Sequence, residues 1–230
     1  MKIAVINGQN HKGSTYHIGK QVADKLGGEV TEFFLPRDFG DFCVGCTQCF
    51  LKSETLCPHY ERLKKITEAM DEADVLIFTT PVYVYHCTGS MKAFLDHYGY
   101  RWMVHRPEQK MFTKQAVVDF SAGSGTKSAN KDIADSMFFW GVPKTYRYGV
   151  NVRATNYSGV TDELKKKIDK KTTSIANKVK KNNGEVKAGL KTKGFFFIMR
   201  MIQKSGWNEA DKNYWAERGW NGKNRPWKNT

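Results

Sequence analysis

Four of the five cysteines in this 230-residue chain fall in one short stretch. Cys43, Cys46, Cys49 and Cys57 are spaced C-x2-C-x2-C-x7-C, and Pro58 follows the last. Thiols gathered this way suit metal binding or redox work better than a disulfide framework. Ligand number and spacing leave three outcomes open: an iron–sulfur cluster, a structural zinc, or free thiols. Cys87 stands apart and reads as a small buried residue. A second chemistry lies in three apolar runs that each end in a loop of small or ring-compatible residues. Lys2–Asn7 leads into Gly8-Gln9-Asn10-His11-Lys12-Gly13-Ser14-Thr15. Val75–Thr79 leads into Thr80-Pro81-Val82-Tyr83, and Ala116–Phe120 into Ser121-Ala122-Gly123-Ser124-Gly125.

The first loop sets Gly, Asn, Ser and Thr between a strand and a helix. Free N–H groups at a helix N-terminus, with the positive end of its dipole, hold a phosphate well. Ser14 and Thr15 add hydroxyl donors, and His11 or Lys12 adds charge. Neither G-x-x-x-x-G-K-[ST] nor G-x-G-x-x-G is spelled here, and the same residues would also serve as a plain capped turn. In the second loop Pro81 stiffens the strand exit, and Tyr83 offers an aromatic face with a polar tip. Three such loops meeting at one rim would cradle a flat cofactor with a phosphate tail, a description that FMN fits.

The series Pro81-Val82-Tyr83, Gly89, Lys92, Leu95-Asp96 resembles the signature P-V-Y…G-x-x-K-x-x-L-D of NAD(P)H-dependent FMN reductases, a branch of the flavodoxin-like proteins. The likeness spans residues 1–155. It is specific in the second loop and looser in the first, where the usual G-S-x-R is replaced by Gly8-Gln9-Asn10-His11. Carried over by position, it implies that Asn10, Lys12, Ser14 and Thr15 hold the phosphate. It also implies that Pro81, Val82, Tyr83 and Val84, with Ala122, Gly123, Ser124 and Gly125, border the ring. The cysteine run resembles the bacterial ferredoxin pattern with a longer last gap. It is closer to the loop of the iron–sulfur flavoproteins, which implies a [4Fe-4S] cluster on Cys43, Cys46, Cys49 and Cys57.

The activity implied is hydride transfer from NAD(P)H to FMN, then on to a quinone, a nitro compound or another flavin at the same open face. Shared occupancy implies ping-pong kinetics, and the resemblance also implies a homodimer or higher homo-oligomer. No protein acid or base is required, and His86 and His105 read as ordinary hydrogen-bonded histidines. Two rivals carry other expectations. One is an electron carrier with flavin and cluster that serves ferredoxin-like partners. The other is a non-enzymatic module whose basic tail binds an anionic polymer.

Positioning these residues takes strands and helices in alternation. The sequence predicts helices over 14–27, with Ser14 or Thr15 as cap, and over 59–73, 90–98, 127–140 and 161–181. Strands are expected at 2–7, 29–35, 75–79, 115–120 and 146–152. Such alternation implies right-handed crossovers and a doubly wound parallel sheet, in the flavodoxin-like order 2-1-3-4-5. Residues 1–182 form the expected FMN-binding domain. Residues 183–230 form an aromatic, basic extension that packs on the core or on a partner subunit, with Trp207, Trp215, Trp220 and Trp227 as anchors.

Charge divides the chain unevenly. Residues 1–150 carry 18 basic against 16 acidic side chains, residues 151–230 carry 19 against 7, and the whole is +14. The surplus reads as a solvated lysine-rich helix face, with nucleic acid, an anionic membrane surface or an acidic partner as the alternatives. No nucleic-acid module is recognisable. No apolar run approaches the ~20 residues of a membrane span, and Met1-Lys2 opens directly into a strand, so the cytoplasm is the expected location. The absence of G-x-S-x-G, H-E-x-x-H and EF-hand patterns argues against hydrolase and zinc-protease readings.

Overall fold

The computed structural model describes residues 1–122, 124–154, 156–183 and 186–228. Strands β1 (Lys2–Asn7), β2 (Glu29–Phe34), β3 (Val75–Pro81), β4 (Gln115–Ala122) and β5 (Lys144–Asn151) pair in parallel in the order β2-β1-β3-β4-β5. This is the flavodoxin-like arrangement expected from the sequence. The strand order reverses between β1 and β3, and the crevice there opens at their carboxyl ends.

Side chains alternate across a strand, so each central strand feeds two cores. Ile3, Val5, Val75, Ile77 and Val117 face α1 (Ser14–Leu26) and α6 (Asp162–Asn182), where Val22, Leu26, Ile175 and Val179 meet them. Ala4, Ile6, Leu76, Phe78 and Val118 face the opposite layer of α3 (Tyr60–Glu72), α4 (Gly89–Asp96) and α5 (Thr126–Phe139). That layer contributes Leu63, Ile66, Met70, Phe94, Ile133 and Met137. Residues 75–80 of β3 are buried on both faces, as a central parallel strand must be. A short helix, α2 (Gln48–Leu51), lies within the cysteine loop.

Two expectations need correction. The cap of α1 is Gly13, not Ser14 or Thr15, and no side chain caps the helix. A capping residue needs extended backbone, which Gly13 supplies (φ −80, ψ −166), whereas Ser14 already lies in the first turn. The strand–helix pattern reads as stopping at Asn182, yet the chain beyond residue 186 keeps regular structure. It forms α7 (Leu190–Ser205) and α8 (Glu209–Glu217). Gly206 ends α7 in the left-handed region (φ 74), and Asn208 starts α8 by accepting from Asp211 N–H at 3.2 Å. The aromatic run Phe195-Phe196-Phe197 had obscured the helical period, because only Phe196 of the three is buried.

Phe196, Met199, Trp215 and Trp220 close on Met103 and Phe112 as a separate apolar cluster. Trp207 instead remains exposed. A buried carboxylate fastens α8: Asp211 pairs with Arg106 and accepts from His105 Nδ1 at 2.7 Å. Arg106 also donates to the carbonyls of Cys49 and Phe50, so the same guanidinium braces the cysteine loop. His105 is thus the hydrogen-bonded histidine the sequence suggested. No helix among the described residues is long and apolar enough to cross a membrane.

Candidate functional site

The first two loops are knitted together at the switch point. Gly8 N–H donates to Thr79 O at 2.7 Å, and Thr88 Oγ1 donates to Gly8 O at 2.7 Å. Thr79 Oγ1 donates to Asn7 Oδ1 at 2.7 Å, and Gln9 Nε2 reaches the Tyr83 hydroxyl at 3.0 Å. The approach at Gly8 is close enough that a Cβ would stand 2.8 Å from Thr80, so glycine is required there.

The second loop then turns back on itself. Tyr83 and His86 exchange backbone hydrogen bonds at 3.0 Å, with Val84 (φ 49) and Tyr85 (φ 66) both left-handed at the tip. This is the dihedral pattern of a type I′ turn, which costs non-glycine residues energy and accumulates at functional sites. The end of the third loop abuts this tip. A Cβ on Gly125 would meet Tyr85 at 2.8 Å and Val82 at 3.1 Å, and Ser128 Oγ donates to Tyr85 O at 2.7 Å.

Between the loops lies a cavity of about 270 Å³. Ser14, Thr15, Pro81, Val82 and Tyr83 line it, together with Gln9, His11 and Gly13. Ser14 Oγ is buried and has no hydrogen-bond partner among the described residues. An uncapped helix N-terminus beside an unpartnered hydroxyl is a set of donors awaiting an anion. The remaining residues expected at the site lie elsewhere. Asn10 is exposed outside the lining, and the Lys12 ammonium sits over the Tyr16 ring at 5.2 Å, facing β2. Val84 is 91% exposed at the turn tip. Ala122 ends β4, Ser124 is exposed, and Gly123 lies outside the described residues.

A contributor the sequence reading did not find is Arg153, which lines the cavity between Val152 and Ala154. Its backbone is left-handed (φ 48), an unusual conformation for arginine. The chain leaving β5 crosses back over the N-terminal half of α1, where Tyr157 stacks on His17 at 4.8 Å and accepts from Gln21 at 2.7 Å. That crossover carries a guanidinium to the rim whose own loop lacks arginine. A strand-end position was its one sequence signal, and β5 lies at the sheet edge, two strands from the switch point.

On the other side of the second loop, His86 Nδ1 meets Asp132 at 3.1 Å, and Asp132 also accepts from Cys87 N–H at 3.1 Å. Burial and the nearby Asp132 carboxylate push the Cys87 thiol up to about 12, which keeps it protonated. In the cysteine loop, burial pushes Cys49 up to about 11, and the neighbouring Cys57, Cys43 and Cys46 add to the shift. Cys57 is raised as well, chiefly by burial. Cys43 and Cys46 are exposed.

Residues 1–151 match the family described as NADPH-dependent FMN reductase. The chain belongs to that family. This member is also similar to an iron-sulfur flavoprotein of Archaeoglobus fulgidus, 25% identical over 205 residues that cover 85% of this chain and 87% of the relative. A second match to an iron-sulfur flavoprotein of that organism is 33% identical over 99 residues, 42% of this chain and 48% of the relative. In that second match the chain spans about half the relative's length. Among solved structures, the NAD(P)H:quinone oxidoreductase from Methanothermobacter marburgensis superposes with a TM-score of 0.56 at 17% identity, covering 76% of this chain and 94% of that one. A likeness at that identity shows the fold.

The residues present fit the phosphate end of the family's flavin. The unpartnered Ser14 hydroxyl, the uncapped start of α1 and Arg153 supply hydroxyl, amide and cationic donors around one cavity.

Proposed function

We propose that the protein is an FMN-dependent NAD(P)H oxidoreductase that reduces a small organic acceptor such as a quinone, a nitro compound or a free flavin. The observation that carries this reading is the cavity between the first two loops, with the buried, unpartnered Ser14 hydroxyl at the uncapped start of α1. FMN supplies hydride acceptance and redelivery when bound.

The chain's own residues do the holding. Ser14, the first amides of α1 and Arg153 bind the phosphate, and a guanidinium paired with phosphate gives orientation as well as charge. Pro81, Val82 and Tyr83 present one wall to the ring, and the Tyr85 tip, braced against Gly125 and Ser128, shields it from water on one side. Tyr83 is about half exposed and Tyr85 more so, which leaves an open face for nicotinamide and acceptor in turn.

A fluorescence titration with FMN, followed by NADPH oxidation in the presence of menadione, tests this reading. One FMN per chain is expected, with alternating-substrate kinetics. Arg153→Gln should weaken FMN by roughly 10–100-fold, the span of a charge-assisted hydrogen bond. A colourless protein that ignores added FMN would overturn the assignment. A second reading, an electron carrier with a [4Fe-4S] cluster on the four loop cysteines, is favoured by the names of the relatives. Iron and acid-labile sulfide in anaerobically purified protein test it.

A further inference from the structure

At the end of the cysteine loop, Cys57, His59 and His97 present three ligand atoms that all lie within 4.8 Å of one another. They arrive from different elements. Cys57 follows a 3-10 turn (Glu54–Leu56), His59 precedes α3, and His97 closes α4. The long x7 gap after Cys49 is what carries the last cysteine to this position, beside the histidines.

Hydrogen bonding fixes the tautomers. His97 Nδ1 stands 2.8 Å from Ala93 O, and a carbonyl can only accept, so Nδ1 carries the proton and Nε2 offers a bare lone pair. That arrangement, one ring nitrogen donating to a backbone carbonyl and the other free, is how proteins orient histidine toward a metal. His59 Nδ1 lies 2.9 Å from His97 Nε2, so a single proton now sits between the two nitrogens. Phe39 packs edge-on against His97 at 4.9 Å and closes the apolar side.

We propose that Cys57, His59 and His97 form a mononuclear site for a divalent, thiophilic cation of the zinc type. Imidazole nitrogen and thiolate sulfur are the ligand types zinc prefers, and three protein ligands leave a fourth tetrahedral position for water. On binding, the cation forms bonds to Cys57 Sγ, His59 Nδ1 and His97 Nε2. The His59 proton moves to its Nε2, and the Cys57 thiol proton is released to solvent. A four-iron cluster would also need Cys57, so the two occupants exclude one another.

The test is an anaerobic titration of the reduced, chelator-treated whole chain with cobalt(II) chloride, read by ligand-field and thiolate-to-cobalt absorption. The expected result is one cobalt per chain, displaced by an equivalent of zinc chloride. His59→Gln and Cys57→Ser should each weaken binding at least ~10-fold, the loss typical of a disturbed metal site, while Cys43→Ser leaves it unchanged. His97 is buried and its variant risks misfolding. The half-buried His59 therefore carries the test, with a zinc-dependent rise in melting temperature, lost in Cys57→Ser, as the second measurement. Absent cobalt absorption, binding that His59→Gln does not change, or a [4Fe-4S] centre that requires Cys43 would each overturn the proposal.

Discussion

Thr88 Oγ1 donates to Gly8 O at 2.7 Å across 80 residues of sequence, and this one hydroxyl ties the phosphate-side loop to the ring-side loop. The same oxygen accepts from Met91 N–H at 3.2 Å and so caps α4. Thr88→Val keeps the volume but removes both bonds. The expected loss is about 2–3 kcal/mol, combining a helix cap with an orphaned buried carbonyl. Urea unfolding measures it, and an unchanged midpoint would mean that the loops are held by other contacts.

Ser14→Ala separates binding from stability by opposite signs. A buried hydroxyl without a partner costs about 1–3 kcal/mol, so its removal should leave the flavin-free protein equally or more stable. FMN affinity should nevertheless fall by roughly tenfold or more, because a hydrogen bond to a charged phosphate is lost. Melting curves with and without FMN report both effects. A variant destabilised in both states would assign Ser14 a packing role only.

Gly19 faces the sheet from the middle of α1, where a Cβ would stand 2.3 Å from Thr79 Cγ2. Alanine normally stabilises a helix by about 1 kcal/mol over glycine. Here overpacking should outweigh that gain, for a net loss of about 1–3 kcal/mol. FMN affinity should drop too, since α1 carries the phosphate donors at its start. Denaturant midpoints and a flavin titration of Gly19→Ala check both.

Asp211 is fully buried between Arg106 and His105. Asp211→Asn leaves the Arg106 guanidinium without its countercharge, and breaking a buried pair in this way costs about 3–5 kcal/mol. Because Arg106 also holds the Cys49 and Phe50 carbonyls, the cysteine loop should loosen with it. Faster amide exchange across residues 46–52 is the measurement, and unchanged protection there would uncouple α8 from the loop.

Cys49 gives a pH dependence on the alkaline side. Its ordinary value of 9.0 is raised to about 11 by burial, then by the neighbouring thiols. Between those values the folded metal-free chain keeps a proton that the unfolded chain has lost. Stability from this group is therefore full below pH 9.0 and declines as pH rises toward about 11. The gap in urea midpoint between parent and Cys49→Ser should shift in that direction across the window. A gap that does not change with pH would show the thiol to be as solvated as in the unfolded chain.

Short apolar runs alternating with amphipathic helical stretches determined the strands, their parallel pairing and the crevice between β1 and β3, because a central strand buried on both faces must be apolar throughout. The second loop was legible only in part, since Pro81 marks the strand exit but no glycine or asparagine announces the left-handed Val84 and Tyr85. Residues 190–217 were not, because helix signals there are masked by aromatics that stay exposed. What only the tertiary structure decided is which distant side chains share a site. Arg153 reaches the cavity because its crossover folds over α1, and His97 meets His59, 38 residues earlier, because α4 packs beside α3. Neither meeting is encoded in local spacing. Each depends on two packed layers having already fixed the separation and tilt of their elements, and only the assembled core imposes that constraint.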